Sequence, residues 1–122
     1  MSFLSRLATF CALATLLPAS GAAQVADGER VFRQRCVSCH SIDPGENRVG
    51  PSLSNVVGRE AGRVEGARYS KALLGANLVW DAQTLDAFLA DPNALVPGTS
   101  MRIRIANPTQ RVAVIRYLGA TD

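Results

Sequence analysis

The sequence predicts an all-α domain: three to four short helices joined by long ordered loops that wrap a buried cofactor. Three observations carry this reading. Apolar residues recur at helical spacing in several stretches, each bounded by residues that start or stop helices. No stretch shows the period-two alternation of a half-buried strand. The connections between the helical stretches are also longer than a compact domain of 122 residues normally tolerates, which points to loops with work to do.

The elements follow in chain order. Met1–Arg6 carries one positive charge, Leu7–Leu17 is almost wholly apolar, Pro18 interrupts it, and Ser20-Gly21-Ala22-Ala23 supplies small residues. That is the order of a secretory signal peptide over residues 1–23, cut after Ala22 or Ala23. The apolar run falls short of the roughly 20 residues that a membrane span needs. A mature domain over residues 24–122 is expected. Ala26–Arg35 reads as an amphipathic helix, with Val31 and Phe32 on one side and Glu29, Arg30 and Arg33 on the other. Ser41–Ser54 holds Pro44-Gly45 and Gly50-Pro51 and reads as loop, and Gly58, Gly62 and Gly66 punctuate a second irregular stretch. Tyr69–Leu74 reads as one or two helical turns ending at Gly75. Ala82–Ala90 reads as a helix capped by Asp81, buried through Leu85, Phe88 and Leu89, and stopped by Pro92. Asp91–Asn107 reads as loop. In the last helix Asn107 caps, Pro108 takes the first position, and Gln110 completes an Asn-x-x-Gln capping box. Val112, Ile115 and Leu118 form its stripe, widened by Val114 and Tyr117, and Gly119 marks its end.

Charge excludes one class of function. The net charge is +3, and 12 of the 13 basic residues are arginine, Lys71 being the exception. They form no run and interleave with few aromatic residues, so the chain carries no nucleic-acid footprint. A mildly basic surface can steer encounters with acidic partners.

The chemistry concentrates in Cys36-Val37-Ser38-Cys39-His40, directly after the first helical pattern. Export places these thiols in an oxidising compartment, yet two cysteines so close together close no useful loop. Their spacing puts both sulfurs roughly on one face of a helical turn, where they can add to two vinyl groups on one edge of a porphyrin. His40 follows, placed to reach the iron. This is the attachment signature of a c-type haem. A structural zinc site needs four ligands, and Cys36, Cys39 and His40 are the only soft ones besides methionine left after residue 23. A thioredoxin-like pair would sit near a βαβ pattern, which is absent.

Haem iron has two axial positions. His40 is the only histidine, and Met101 is the only methionine after Met1. Met101 sits in the turn-rich Pro97-Gly98-Thr99-Ser100-Met101. A loop methionine is ordinarily a gap-filler; with a haem anchored elsewhere and no second histidine, it becomes the candidate for the second axial ligand. Two protein ligands would leave no open site for dioxygen or peroxide, which favours electron transfer over catalysis.

From about Gly28 to Leu118 the sequence resembles class I c-type cytochromes of the mitochondrial cytochrome c and bacterial cytochrome c2 branch. The resemblance rests on Gly28, Phe32, Cys36-x-x-Cys39-His40, Gly50-Pro51-Ser52-Leu53, Gly58-Arg59, Tyr69-Ser70, Trp80, Leu85, Leu89, Pro92, Pro97-Gly98-Thr99-x-Met101 and Tyr117-Leu118, in that order. It implies the cytochrome c fold around one covalently bound haem c, with thioether bonds at Cys36 and Cys39 and axial ligands at His40 and Met101. It further implies that the Pro51 carbonyl accepts a hydrogen bond from the His40 ring, that Arg59, Tyr69 and Trp80 serve the haem propionates, and that Gly28 lets the first helix cross the last near Val114 and Tyr117.

The sequence departs from that family at several points. Phe88 and Leu73 stand where the mitochondrial pattern has a tyrosine and an asparagine, which predicts a drier methionine side. The loop between His40 and Pro51 is one residue shorter. The lysine ring around the exposed haem edge is missing, and Ser100, Arg102 and Arg104 stand near Met101 instead. The expected function is a soluble, monomeric, periplasmic single-electron carrier rather than an enzyme. Its expected partners are redox proteins such as a cytochrome bc complex, a terminal oxidase or a dehydrogenase. Two rivals stay open: a haem subunit of a periplasmic dehydrogenase or oxidase, and a haem protein whose labile Met101 admits small ligands.

Overall fold

A computed structural model describes residues 12–16 and 21–121. Among them are five helices: α1 (Gly21–Arg35), α2 (Lys71–Leu74), α3 (Ala82–Ala90), α4 (Pro92–Leu95) and α5 (Pro108–Ala120). No strand forms among the described residues; one antiparallel bridge joins Glu60 to Val79. No described helix is long and apolar enough to cross a membrane. Most of the signal-peptide segment lies outside the described residues, and 12–16 are exposed, irregular chain.

Helix α1 starts five residues before the expected Ala26, so the small residues Gly21, Ala22 and Ala23 form its first turn. It buries Gly28, Val31 and Phe32. On the outer face Arg33 pairs with Glu29 at 2.7 Å and Arg30 with Asp27 at 3.3 Å, both well exposed; such pairs contribute a few tenths of a kcal/mol each. Helix α5 packs across α1, and Gly28 is the point of closest approach. A Cβ there would fall 2.1 Å from the Ala113 carbonyl oxygen and 2.6 Å from Tyr117 Cβ. The crossing is therefore at Ala113 and Tyr117, one position short of the Val114 inferred from the resemblance. Phe32 and Tyr117 meet beside it, ring centroids 5.6 Å apart.

The remaining elements show how local chemistry sets boundaries. Helix α2 begins only at Lys71, because Ser70 is its N-cap and accepts from the Leu73 N–H. Helix α3 has the expected bounds; Asp81 caps it, and Thr84 returns a bond to Asp81 N–H, a reciprocal box that was not foreseen. Pro92 ends α3 but also opens α4 inside the expected Asp91–Asn107 loop. Proline lacks the N–H that a first helical residue leaves unpaired, and Asp91 Oδ1 accepts from Ala94 N–H at 3.3 Å.

Helix α5 is capped by Asn107, which accepts from Thr109 and Gln110 N–H. Only Asn107 contributes to that cap; the return bond expected from the Gln110 side chain is not formed among the described residues. Gly119 does not end the helix, which continues to Ala120 and closes on Thr121. Its buried face is Ala113, Val114, Ile115, Tyr117 and Leu118, while Val112 is exposed.

Arg111 fastens α5 to its surroundings. Its Nε donates to Asp86 of α3 at 2.8 Å, and Nη1 donates to the carbonyls of Ile105 and Ala106. The apolar core runs from α1 and α5 through Val56, Trp80, Leu85, Phe88, Leu89 and Ile105 to the cleft below.

Candidate haem-binding cleft

The loops and helices enclose a cleft of about 370 Å³. Leu53, Val56, Leu73, Leu85, Phe88, Leu89, Ile105, Val114 and Leu118 give it apolar walls. All eight residues singled out from the sequence line it: Cys36, Cys39, His40, Pro51, Arg59, Tyr69, Trp80 and Met101.

The first wall is built by the end of α1. Cys36 N–H still bonds the Phe32 carbonyl, and Cys39 and His40 N–H both return to the Cys36 carbonyl. This tight turn carries the two thiols and the imidazole together to the cleft. Burial pushes the Cys36 thiol up to about 11, with the neighbouring Arg35 charge opposing. Burial also holds His40 below its ordinary 6.5, against the hydrogen bond to Pro51, so the ring is neutral at pH 7. Nδ1 lies 2.7 Å from the Pro51 carbonyl oxygen. A neutral imidazole donating there has its proton on Nδ1 and a free lone pair on Nε2 for a metal.

The Gly50-Pro51 loop is fixed against this ring. Gly50 N–H bonds the Cys39 carbonyl, and Leu53 N–H bonds that of Ser41. Gly50 has no side chain because the imidazole occupies the space: an added Cβ would lie 2.2 Å from His40 Cε1.

Arg59 and Trp80 arrive as a pair. Gly58 N–H donates to the Trp80 carbonyl and Trp80 N–H to that of Arg59, forming a short ladder beside the Glu60–Val79 bridge. The Arg59 guanidinium donates from Nη1 to the Ser52 and Ser54 carbonyls, both at 2.9 Å. Trp80 is buried against Phe88, centroids 4.9 Å apart. The Tyr69 oxygen accepts from Val64 N–H at 3.0 Å, which leaves its O–H as a donor.

Met101 comes from a segment secured at both ends. Thr99 is buried and its N–H bonds the Val96 carbonyl; Gly98, at φ 87°, turns the chain there. Beyond Met101, Ile105 N–H bonds the Leu89 carbonyl, Arg104 pairs with Asp91 at 3.1 Å, and Arg35 donates to the Arg104 carbonyl. That last bond links the attachment turn to the methionine segment across the cleft. Phe88 and Leu73 both line the cavity, in keeping with an apolar site.

Sequence reasoning overlooked Arg68 as a cleft residue; it stands beside Tyr69 and offers a charge at the cavity. It named Gly50 and Thr99 only as parts of motifs. No sequence signal separates a glycine facing an imidazole from a glycine in a turn. The donor set and cavity suit a flat apolar macrocycle with a central metal: greasy walls, a neutral imidazole with one nitrogen committed, a thioether, and two thiols beside the imidazole.

Comparison with known proteins agrees with the cleft. The family model described as Cytochrome c matches residues 25–122. Cytochrome c2 of Rhodomicrobium vannielii is 45% identical over 94 residues, covering 75% of this chain and 74% of that protein. Cytochrome c2 of Blastochloris viridis is 39% identical over 111 residues, 89% of this chain and 86% of that one. Among solved structures, cytochrome cH from Methylobacterium extorquens superposes with a TM-score of 0.73 at 40% identity, covering 79% of this chain and 97% of that chain. The chain belongs to the cytochrome c family, electron carriers with covalently bound haem c and its iron. Within it, the chain is of class I, the bacterial cytochrome c2 type.

Proposed function

We propose that this chain is an exported single-electron carrier in which Cys36 and Cys39 would hold one haem c through thioether bonds and His40 and Met101 would ligate its iron. The observation that carries the reading is the convergence of all four on one apolar cleft, with His40 Nδ1 already committed to the Pro51 carbonyl. When bound, the haem supplies a reversible Fe(II)/Fe(III) couple, and a thioether favours the reduced state.

The residues around the cleft do the rest. The Cys36–His40 turn and the Gly50-Pro51 loop fix the imidazole. The anchors at Thr99 and Ile105 hold the Met101 segment. Walls such as Leu73, Phe88 and Leu89 exclude water, so a change of charge reorganises little solvent. Arg59, Tyr69 and Trp80 line the cleft and would serve the carboxylates of the macrocycle. Residues 1–23 act as a signal peptide, and the domain over residues 24–122 works in the periplasm. Its partners are respiratory or periplasmic redox proteins, met transiently through the arginine-bearing mouth, where charge sets association rate more than affinity.

Mass spectrometry of the protein from its native host tests attachment and processing together. The expected mass is that of residues from about Gln24 onward plus one haem. A denatured chain without haem would overturn the assignment. Near-infrared absorption of the ferric form tests the second ligand: the band of a methionine–iron bond is expected in the wild type and lost in Met101→Ala. Its absence from the wild type at neutral pH would favour a cleft open to small ligands.

A further inference from the structure

The side-chain amide of Asn47 is satisfied at both ends. Oδ1 accepts from the Ser52 N–H at 3.0 Å, and Nδ2 donates to the Glu65 carbonyl at 3.0 Å. Only one orientation of the amide meets both partners. The Ser52 N–H and the Pro51 carbonyl belong to the same peptide unit, and that carbonyl is the acceptor for His40 Nδ1 at 2.7 Å. The groups therefore form one head-to-tail chain: imidazole N–H, the 51–52 peptide, the Asn47 amide and the Glu65 carbonyl.

Hydrogen bonds in such a series polarise one another. Asn47 Oδ1 draws the proton of the Ser52 N–H toward itself, which leaves more electron density on the peptide nitrogen, and amide resonance passes that density to the Pro51 carbonyl oxygen. The carbonyl then draws harder on the imidazole proton, and the ring becomes a better electron donor through its other nitrogen. The middle of the chain is dry, since Ser52 is 2% exposed and its own hydroxyl donates to the Asp43 carbonyl. The path of the loop does not depend on Asn47 alone: Gly50 and Leu53 are tied to Cys39 and Ser41, and Arg59 holds the Ser52 carbonyl.

We propose that Asn47 is a positioning residue for electron transfer, whose amide completes a hydrogen-bond relay that strengthens the His40–Pro51 bond and holds the reduction potential down. A more strongly donating imidazole stabilises Fe(III) over Fe(II), so breaking the relay raises the potential. The proposal rests on the reading that His40 binds the iron.

The test compares Asn47→Leu and Asn47→Asp in the haem-loaded protein. Leucine has similar bulk and removes both hydrogen bonds; aspartate keeps an oxygen for the Ser52 N–H. The readouts are the reduction potential and the His40 Nδ1–H resonance of the ferrous protein labelled with 15N-histidine. One histidine in the chain gives one unambiguous signal. For N47L the potential is expected to rise and the Nδ1–H resonance to move upfield. For N47D the resonance is the deciding readout, because a new negative charge lowers the potential by itself; it is expected at or downfield of its wild-type position. An N47L protein with wild-type visible and circular-dichroism spectra but unchanged potential and resonance overturns the proposal. If N47L does not assemble, N47D decides alone, and an upfield shift there overturns it. Failure of the underlying reading is visible separately, in a wild-type His40 ring without the large upfield displacement of a haem ligand.

Discussion

Gly50 and His40 show how a single atom can decide the geometry of a redox site. The imidazole fills the volume where a side chain at position 50 would begin, and its Nδ1–H is spent on the next residue's carbonyl. The ring has little freedom to yield, because that bond clamps it. Gly50→Ala is therefore expected to push the imidazole off the Pro51 carbonyl and to destabilise the loaded protein by roughly 1–3 kcal/mol, the usual cost of overpacking. Denaturant unfolding measures the loss, and the His40 Nδ1–H resonance reports the broken bond. Unchanged stability together with an unmoved resonance would show that the backbone gives way instead. From sequence, Gly50-Pro51 is legible as a turn and, through its resemblance, as the partner of the histidine. The clash that excludes every other residue type is a three-dimensional fact with no one-dimensional trace.

At the scale of elements, caps and crossings place the site. Helix α3 supplies Leu85, Phe88 and Leu89 to the cleft, and its start is fixed by the box between Asp81 and Thr84. The Thr84 backbone N–H holds the Asp81 carboxyl below its ordinary 3.8. The folded state thus binds that proton less tightly than the unfolded chain does. The resulting stability is complete above the unfolded value and is lost as pH falls through the lower folded one. Asp81→Asn keeps a capping oxygen that does not titrate. Thermal unfolding between roughly pH 5 and pH 2 should show a shallower loss of stability in the variant than in the wild type; parallel curves would remove Asp81 from the acid response. The bounds of α3 were legible because Asp81, the Leu85–Phe88–Leu89 stripe and Pro92 agree. Helix α4 was not, since Pro92 reads as a stop and four residues leave too short a period to detect. The early start of α1 was missed for another reason: Gly21–Ala23 also satisfies the pattern of a cleavage site.

At the scale of the molecule, the cleft interrupts the core. Helices α1 and α5 make one packed contact, and α3 joins it through Arg111, but Trp80, Phe88, Leu89, Ile105 and Val114 belong to both core and cavity lining. The long loops noted in the sequence are the other wall of that space, which is why they carry ordered turns and buried residues such as Ser52 and Thr99. Residues that should pack on one another instead wall a cleft of about 370 Å³ open to water, so their dispersion contacts are missing on one side. A whole domain is held together by only roughly 5–15 kcal/mol. The chain without its cofactor is therefore expected to lack a cooperative fold, although its helix caps and salt bridges are all intact in sequence. A Cys36→Ala/Cys39→Ala variant prepared without haem should show weak near-ultraviolet circular dichroism and no sharp thermal transition. Adding haem should restore part of both, because the walls and His40 remain. A sharp transition in the haem-free variant, at native helix content, would mean that α1, α3 and α5 carry the fold by themselves and that the cleft is filled, not founded, by its ligand.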